Sequence, residues 1–431
     1  MAQGGHFVTG WARLLSLVAL GASLATARPA AVPLRAPVSH HQAVTAPRSI
    51  PSNCSTDVTR SLNRLLAAAR RGAQVTLVHG GCYLAEGTVL LAHHTGVSIN
   101  GNGATIEQPF YLGGGEVLPI LQLSQDSDVT VRNLTLRGPH GVGNEYTEGD
   151  YGIKLDGDNG VSIAHVAVKD VEGDWLALYS GPGGALDRNV WVIDSSFSDA
   201  GYHGVTIESV DGVTFYHDTF TGVGLDGVDL EYDTYPTVFV KGQPTQGAED
   251  NVTFEDTTWR SVGGIWVVSY QGQQVQENNL ALLDNRLIGV GLSVGIIGNQ
   301  LVPNSGLFIE GNLSTAPATG VWGGSIVRPT SSAPIWLTYV DNVQILDNKM
   351  TLFDGTPTYY PNHPYMAAVQ LYGSAGALIS GNTFNGAAAP LKVDSLYYPT
   401  HRHWSGTPSQ EITECGDSYG VRGRLRSLPC S

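Results

Sequence analysis

Five short segments of this 431-residue chain can be laid over one another on a glycine or its substitute, and together they gather side chains suited to proton transfer. They are DYGIKLD from Asp150, GDWLALY from Gly173, YHGVTIE from Tyr202, LDGVDLE from Leu225 and VGGIWVV from Val262. Strand alternation in this register sends Ile153, Leu176, Val205, Val228 and Ile265 inward and leaves the residues between them facing solvent. The outward columns then read Tyr151, Asp174, His203 and Asp226; Lys154, Ala177, Thr206, Asp229 and Trp266; and Asp156, Tyr179, Glu208 and Glu231.

With neighbouring strands about 4.8 Å apart, Asp174 and Asp226 flank His203 at roughly 9 to 10 Å, and Asp229 and Glu231 stand side by side. Inverting glycoside hydrolysis asks for two carboxyls about 6.5 to 9.5 Å apart, one protonated as acid and one ionised to activate water. Crowding Asp226, Asp229, Glu231 and Asp233 raises at least one of their pKa values by like-charge repulsion, which suits a general acid. The catalytic candidates are therefore Asp174, His203, Asp226, Asp229 and Glu231. Tyr151, Lys154, Trp175, Tyr179, Tyr202, Glu208, Tyr232 and Trp266 surround the same face as candidate substrate contacts, since aromatic planes suit sugar rings. Taken singly, each of these residues reads equally well as a solvated side chain or a turn hydrogen-bonder. As a group they read as a site.

A polysaccharide lyase is the nearest alternative chemistry. It would hold Ca²⁺ on Asp156, Asp226, Asp229 and Glu231 and use Lys154 as base. A third reading is a non-catalytic β-helix that binds or displays glycans. A hydrolase needs no cofactor; calcium enters with the lyase reading, and in the non-catalytic reading the acidic face either binds calcium or is simply wet. No nucleophile elbow, P-loop or HExxH is present, so serine hydrolase, nucleotide and zincin chemistry is not supported.

What must position these columns is a repeat. Nine times a short phrase returns: DVTVRNLTL (Asp128), GVSIAHVAV (Gly160), NVWVIDSSF (Asn189), GVTFYHDTF (Gly212), NVTFEDTTW (Asn251), NLALLDNRL (Asn279), GLFIEGNLS (Gly306), NVQILDNKM (Asn342) and GALISGNTF (Gly376). Each opens on Gly, Asn or Asp, alternates apolar and polar residues, turns, and resumes on the ninth position, usually with a bulky apolar residue. Copies recur at spacings in which repeats stack as solenoids, so the chain reads as an all-β parallel β-helix. Asn285, Asn312, Asn348 and Asn382 share the seventh position, where stacked turns let amides bond along a column. These asparagines are structural.

The length that would suggest two or three globular domains fits one solenoid, which grows by adding rungs. Fifty-four glycines and sparse charge suit recurring tight turns. A net charge of −15 disfavours nucleic acid and anionic membranes and favours a neutral over a polyanionic glycan. Arg13, the apolar run from Leu14 to Ala25 and Ala25-Thr26-Ala27 read as an export signal over 1–27, too short to span a bilayer. A Pro/Ala-rich linker follows over 28–52, then the β-helix over 53–395 and a C-terminal cap over 396–431. Between Ser55 and Gly72, apolar residues at helical spacing behind Ser/Thr/Asp predict an N-terminal capping helix. Four cysteines allow three connectivities; pairing Cys54 with Cys82 and Cys415 with Cys430 closes short loops and suits an oxidising compartment. A secreted monomer with no membrane span is expected.

The capping helix, the VTLVHGGCYL strand, the turn from Gly101 to Ile106 and the coils that follow resemble the pectin-lyase-like superfamily of right-handed parallel β-helix proteins over roughly residues 54–395. That superfamily holds hydrolases, lyases, esterases, epimerases and non-enzymatic adhesins. Within it, Asp174-Trp-Leu-Ala-Leu and His203-Gly-Val-Thr-Ile-Glu-Ser are similar to strands of the polygalacturonase family. The resemblance implies that Asp174 is a catalytic carboxylate and His203 its supporting histidine. The chain departs from that family where Gly173 replaces the paired Asp, Tyr151 stands for the first-strand Asp and no Arg-Ile-Lys follows. A hydrolase built on this chain would recruit Asp226, Asp229 or Glu231.

Overall fold

The computed structural model describes residues 42–109, 118–139, 150–224, 227–230, 239–240, 243–244, 249–260, 265–268, 277–289, 292–297, 303–315, 334–352, 367–393, 408–421 and 424–430. Within them the phrases form the rungs of a parallel coil. The fourth residue of each phrase stacks on its counterpart, so that Val131, Ile163, Val192, Phe215, Phe254, Leu282, Ile309, Ile345 and Ile379 are successive register partners down a long sheet. All nine are fully buried. Each such side chain withdrawn from water contributes on the order of 2 kcal/mol, and no rung can obtain that burial without its neighbours. At the ninth position the rings of Phe197, Phe220 and Trp259 lie nearly parallel, with centroids 5.1 and 4.0 Å apart.

The choice of Gly, Asn or Asp to open each phrase has a backbone cause. From Asp128 to Gly376 every one of these first residues has positive φ, between 52° and 93°. A Cβ is disfavoured there, and glycine or a short Asn/Asp tolerates it best. The sixth position, from Asn133 to Gly381, is left-handed too, with φ between 50° and 73°.

The seventh-position asparagines form the expected ladder. Asn285 N–H donates to Asn312 Oδ1 (3.0 Å), Asn312 N–H to Asn348 Oδ1 (2.9 Å) and Asn348 N–H to Asn382 Oδ1 (2.9 Å). Each Nδ2 also reaches a carbonyl of the preceding strand, as Asn312 does to Leu282 O (2.8 Å). The column ends at Asp417, which accepts from Asn382 N–H (2.7 Å).

A helix spans Thr59–Ala67 and buries Leu62 and Leu66. It starts later than the sequence suggests, because Asn53–Asp57 is a strand, and the Asp57 carboxylate accepts from Thr59 N–H (2.9 Å) at its start. Asn63 ties the helix to the neighbouring strand, accepting from Leu90 N–H (2.8 Å) and donating to Thr88 O (2.9 Å). A further strand, Gln42–Thr45, pairs in parallel with Ala73–Thr76, so the coil begins inside the Pro/Ala-rich stretch. At the other end Gln410–Cys415 and Ser418–Val421 continue the coil past residue 395, and Arg424–Ser427 turns back antiparallel. Disulfides join Cys54 to Cys82 and Cys415 to Cys430. Among the described residues no helix is long and apolar enough to cross a membrane. Residues 1–27, which read as an export signal in the sequence, lie outside them.

Candidate functional site

A shorter sheet carries the candidate residues. It runs through Val89–Ala92, Leu121–Ser124, Ile153–Asp156, Leu176–Tyr179, Val205–Ile207 and Val228–Leu230, all parallel. Its register is the one read from sequence: Ile153, Leu176, Val205 and Val228 are partners, and so are Lys154, Ala177, Thr206 and Asp229. Acids far apart in the chain thereby become neighbours. Trp266 belongs to another short sheet, where its partner is Ser293. Asp226, Glu231 and Tyr232 lie outside the described residues.

Two expectations fail on this sheet. Its outward face is not open to solvent: Asp174 is 1 % exposed, Thr206 3 %, Tyr151 3 %, Glu208 6 %, His203 7 % and Asp229 8 %. Trp175 is not on that face. It occupies the glycine column, is fully buried, and packs its indole 6.1 and 5.9 Å from Phe197 and Phe220. A Cβ on Gly204 would come within 2.8 Å of that ring, so the glycine of one rung makes room for the tryptophan of the next. Trp175 is core and cannot touch a substrate.

The remaining residues form two joined clusters. In the first, Asp174 accepts from His203 N–H on Oδ1 (2.8 Å) and from the Thr206 hydroxyl on Oδ2 (2.8 Å). His203 Nε2 lies 3.3 Å from Asp229 Oδ2, and the Tyr202 ring meets the imidazole edge-on at 4.0 Å. Burial pushes the His203 pKa down to about 4. The Asp229 carboxylate pulls the other way, but desolvation dominates in so enclosed a position, so the ring is neutral and donates from Nε2.

In the second cluster the Tyr151 and Tyr179 hydroxyls are 2.7 Å apart. Lys154 Nζ sits 3.0 Å from Asp156 Oδ1 and 4.9 Å from the centre of the Tyr179 ring, and Gln122 donates to Asp156 Oδ2. Burial, then the nearby Glu208 carboxylate, raise the Tyr179 pKa, so this phenol stays neutral and links the two clusters. Thr206 and Gln122 were missed as site residues. Thr206 stands in the same column as Asp229, which was the signal for it.

The register also bears on metal binding. Asp156 lies three strands from Asp229, roughly 14 Å by strand spacing. Two oxygens on one Ca²⁺ can be no more than about 5 Å apart, so these two acids cannot share an ion. Among the described residues, the one group of potential ligands close enough for a metal is Cys54, Cys82 and Glu107, and its two sulfurs are joined in a disulfide.

The family model for a right handed beta helix region matches residues 120–314. No curated protein sequence matches the chain. Among solved structures, a polygalacturonase from Erwinia carotovora ssp. carotovora superposes with a TM-score of 0.50 at 11 % identity, covering 90 % of this chain and 97 % of that one. An endo-xylogalacturonan hydrolase from Aspergillus tubingensis gives 0.52 at 12 % identity, covering 88 % and 100 %. At such identities the likeness concerns the fold. With coil, register and matches in agreement, that fold is a right-handed parallel β-helix.

Proposed function

We propose that this chain is a glycoside hydrolase acting on a polysaccharide, with Asp174 and Asp229 as its carboxylate pair and His203 as the residue that positions them. The observation that carries this reading is the bridge through His203, whose backbone N–H holds Asp174 (2.8 Å) while its Nε2 meets Asp229 (3.3 Å). The 2.8 Å bond from Thr206 to Asp174, plus one strand step of about 4.8 Å to Asp229, gives a carboxyl separation on the order of 7 to 8 Å, within the inverting range. Two donors on Asp174 favour its ionised form, suited to activating water. Asp229 is then left as the acid that would protonate the leaving oxygen. The likeness in fold to two hydrolases of galacturonan-type polymers supports the reaction class.

Uronate recognition has less support. Lys154, the cation on this face among the described residues, is held by Asp156 and the Tyr179 ring, which favours a neutral glycan over a polyanion and leaves a lyase without its base. Enclosure of the outward face favours the non-catalytic reading instead, in which the network serves to satisfy buried polar groups.

A glycan panel assayed for new reducing ends separates these readings. Wild type should cleave at least one neutral polymer, and the isosteric changes Asp174→Asn and Asp229→Asn should each lower turnover about 100-fold or more with Tm nearly unchanged. An ultraviolet-absorbing unsaturated product would mean a lyase. Full turnover by both variants would remove this pair from the mechanism, and no cleavage of any polymer would support the binding module.

A further inference from the structure

Four Asn-x-Ser/Thr triplets occur in the sequence, at Asn53, Asn133, Asn251 and Asn312, and the fold treats them differently. Asn312 is 1 % exposed and sits in the buried ladder, where its oxygen and both amide hydrogens are engaged. Asn133 is half-buried and gives its Nδ2 to Asn100 Oδ1 (3.1 Å). Asn53 is exposed, but the middle residue of its triplet, Cys54, is tied to Cys82, and oxidation there competes with modification of the neighbouring amide.

Asn251 has none of these obstacles. It is exposed, opens its phrase at φ 61°, and is followed by half-exposed Thr253 on the same strand of the long sheet, not on the short sheet that carries the carboxylates. Its Nδ2 donates one hydrogen bond, to Asp211 Oδ1 (3.0 Å), and its Oδ1 accepts one, from Asn279 Nδ2 (3.0 Å). An amide bearing one sugar keeps one N–H and its carbonyl, so both bonds survive substitution of the second hydrogen.

We infer that Asn251 is an acceptor site for N-linked glycan, a bulky, solubilising surface modification, when the chain passes through a secretory compartment. The two disulfides are the structural sign of such an oxidising route. The donor is a lipid-diphosphate-linked oligosaccharide. Its anomeric carbon bonds to Asn251 Nδ2, the bond from that carbon to the phosphate oxygen breaks, and the displaced amide proton accounts for the charge of the lipid diphosphate released.

The test is expression of the full chain in yeast, recovery from the secretory fraction whether or not it is exported, and mass spectrometry of the four peptides before and after enzymatic deglycosylation. Most molecules should carry glycan at Asn251 and none at Asn312, and Asn251→Gln should remove the corresponding mobility shift without changing the far-ultraviolet spectrum. A bare Asn251 peptide in the folded protein, or an occupied Asn312 peptide, would overturn the inference.

Discussion

Two columns of turn residues run inside this coil, and they solve the same problem with different chemistry. In the C-terminal half, Asn312, Asn348 and Asn382 each accept the backbone N–H of the preceding rung's asparagine. In the N-terminal half the acceptors are Asp126, Asp158 and Asp187, which take the N–H groups of His94, Asp126 and Asp158, each at 2.6 Å. The acceptor geometry is shared, but the amide has its own donor for a carbonyl of the preceding strand and the carboxylate has none unless protonated. Asp187 shows the consequence, being fully buried with no hydrogen-bond partner for Oδ2 among the described residues. Burial, with Asp126 and Asp156 adding repulsion, pushes Asp158 up to about 7, and burial, then Asp158, push Asp187 well above the ordinary carboxylate range. The asparagine rungs carry no titrating group between them, and the carboxylate rungs do.

The strongest way to break the comparison is to empty one rung of the amide column. Asn312→Leu would leave Asn285 N–H and Leu282 C=O buried without partners. At about 1–3 kcal/mol for each orphaned group, the change should destabilise the coil by about 4 kcal/mol, read from the first denaturant transition. A loss under about 1 kcal/mol would show that water or sliding turns replace the amide.

The carboxylate column should respond to pH. A group whose folded pKa is raised stabilises the fold fully below its unfolded value, about 3.9 for Asp. That contribution disappears as pH rises through the folded value, here about 7 for Asp158. Wild type should therefore weaken between pH 4 and 8, and Asp158→Asn should flatten the curve by on the order of 4 kcal/mol. Asp126 and Asp187 crowd the same turn and are raised by burial as well, while His94 opposes the rise at Asp126, so the difference between wild type and variant is the quantity to measure. Superimposable curves would show that Asp158 is not protonated in the fold.

The two ladders also show what a sequence discloses. The amide column was legible because one residue type recurs at one place in the phrase. The carboxylate column keeps as constant an offset, since Asp126, Asp158 and Asp187 each fall two residues before a phrase opens. Three acids among Ser, Gly and Asn read as solvated turns, however, and nothing local in the chain says that the next rung covers them. The site divides in the same way. Strand register lined up Lys154, Ala177, Thr206 and Asp229 because alternation depends on period alone. The burial of that face and the inward turn of Trp175 depend on what packs over a rung; the glycine column can be read from the chain, but that it admits the indole is visible only once the rungs are stacked.

The outer column of first-position residues provides the control, since it looks like a third ladder. Asn279 Nδ2 does donate to Asn251 Oδ1 (3.0 Å), but both side chains are exposed, where water replaces a lost bond at little cost. If the left-handed backbone, rather than the amide, selects these residues, Asn279→Gly should be nearly neutral, because glycine already serves at the same position in Gly306. Asn279→Ala should cost about 1 kcal/mol, because φ is 58° there and a Cβ is strained at that angle. Equal losses for the two variants, seen in paired denaturation curves, would assign the outer column to hydrogen bonding and make it a true relative of the inner ones. A loss confined to alanine would leave the inner turns as the place where side-chain chemistry, and with it pH, acts on the stability of the coil.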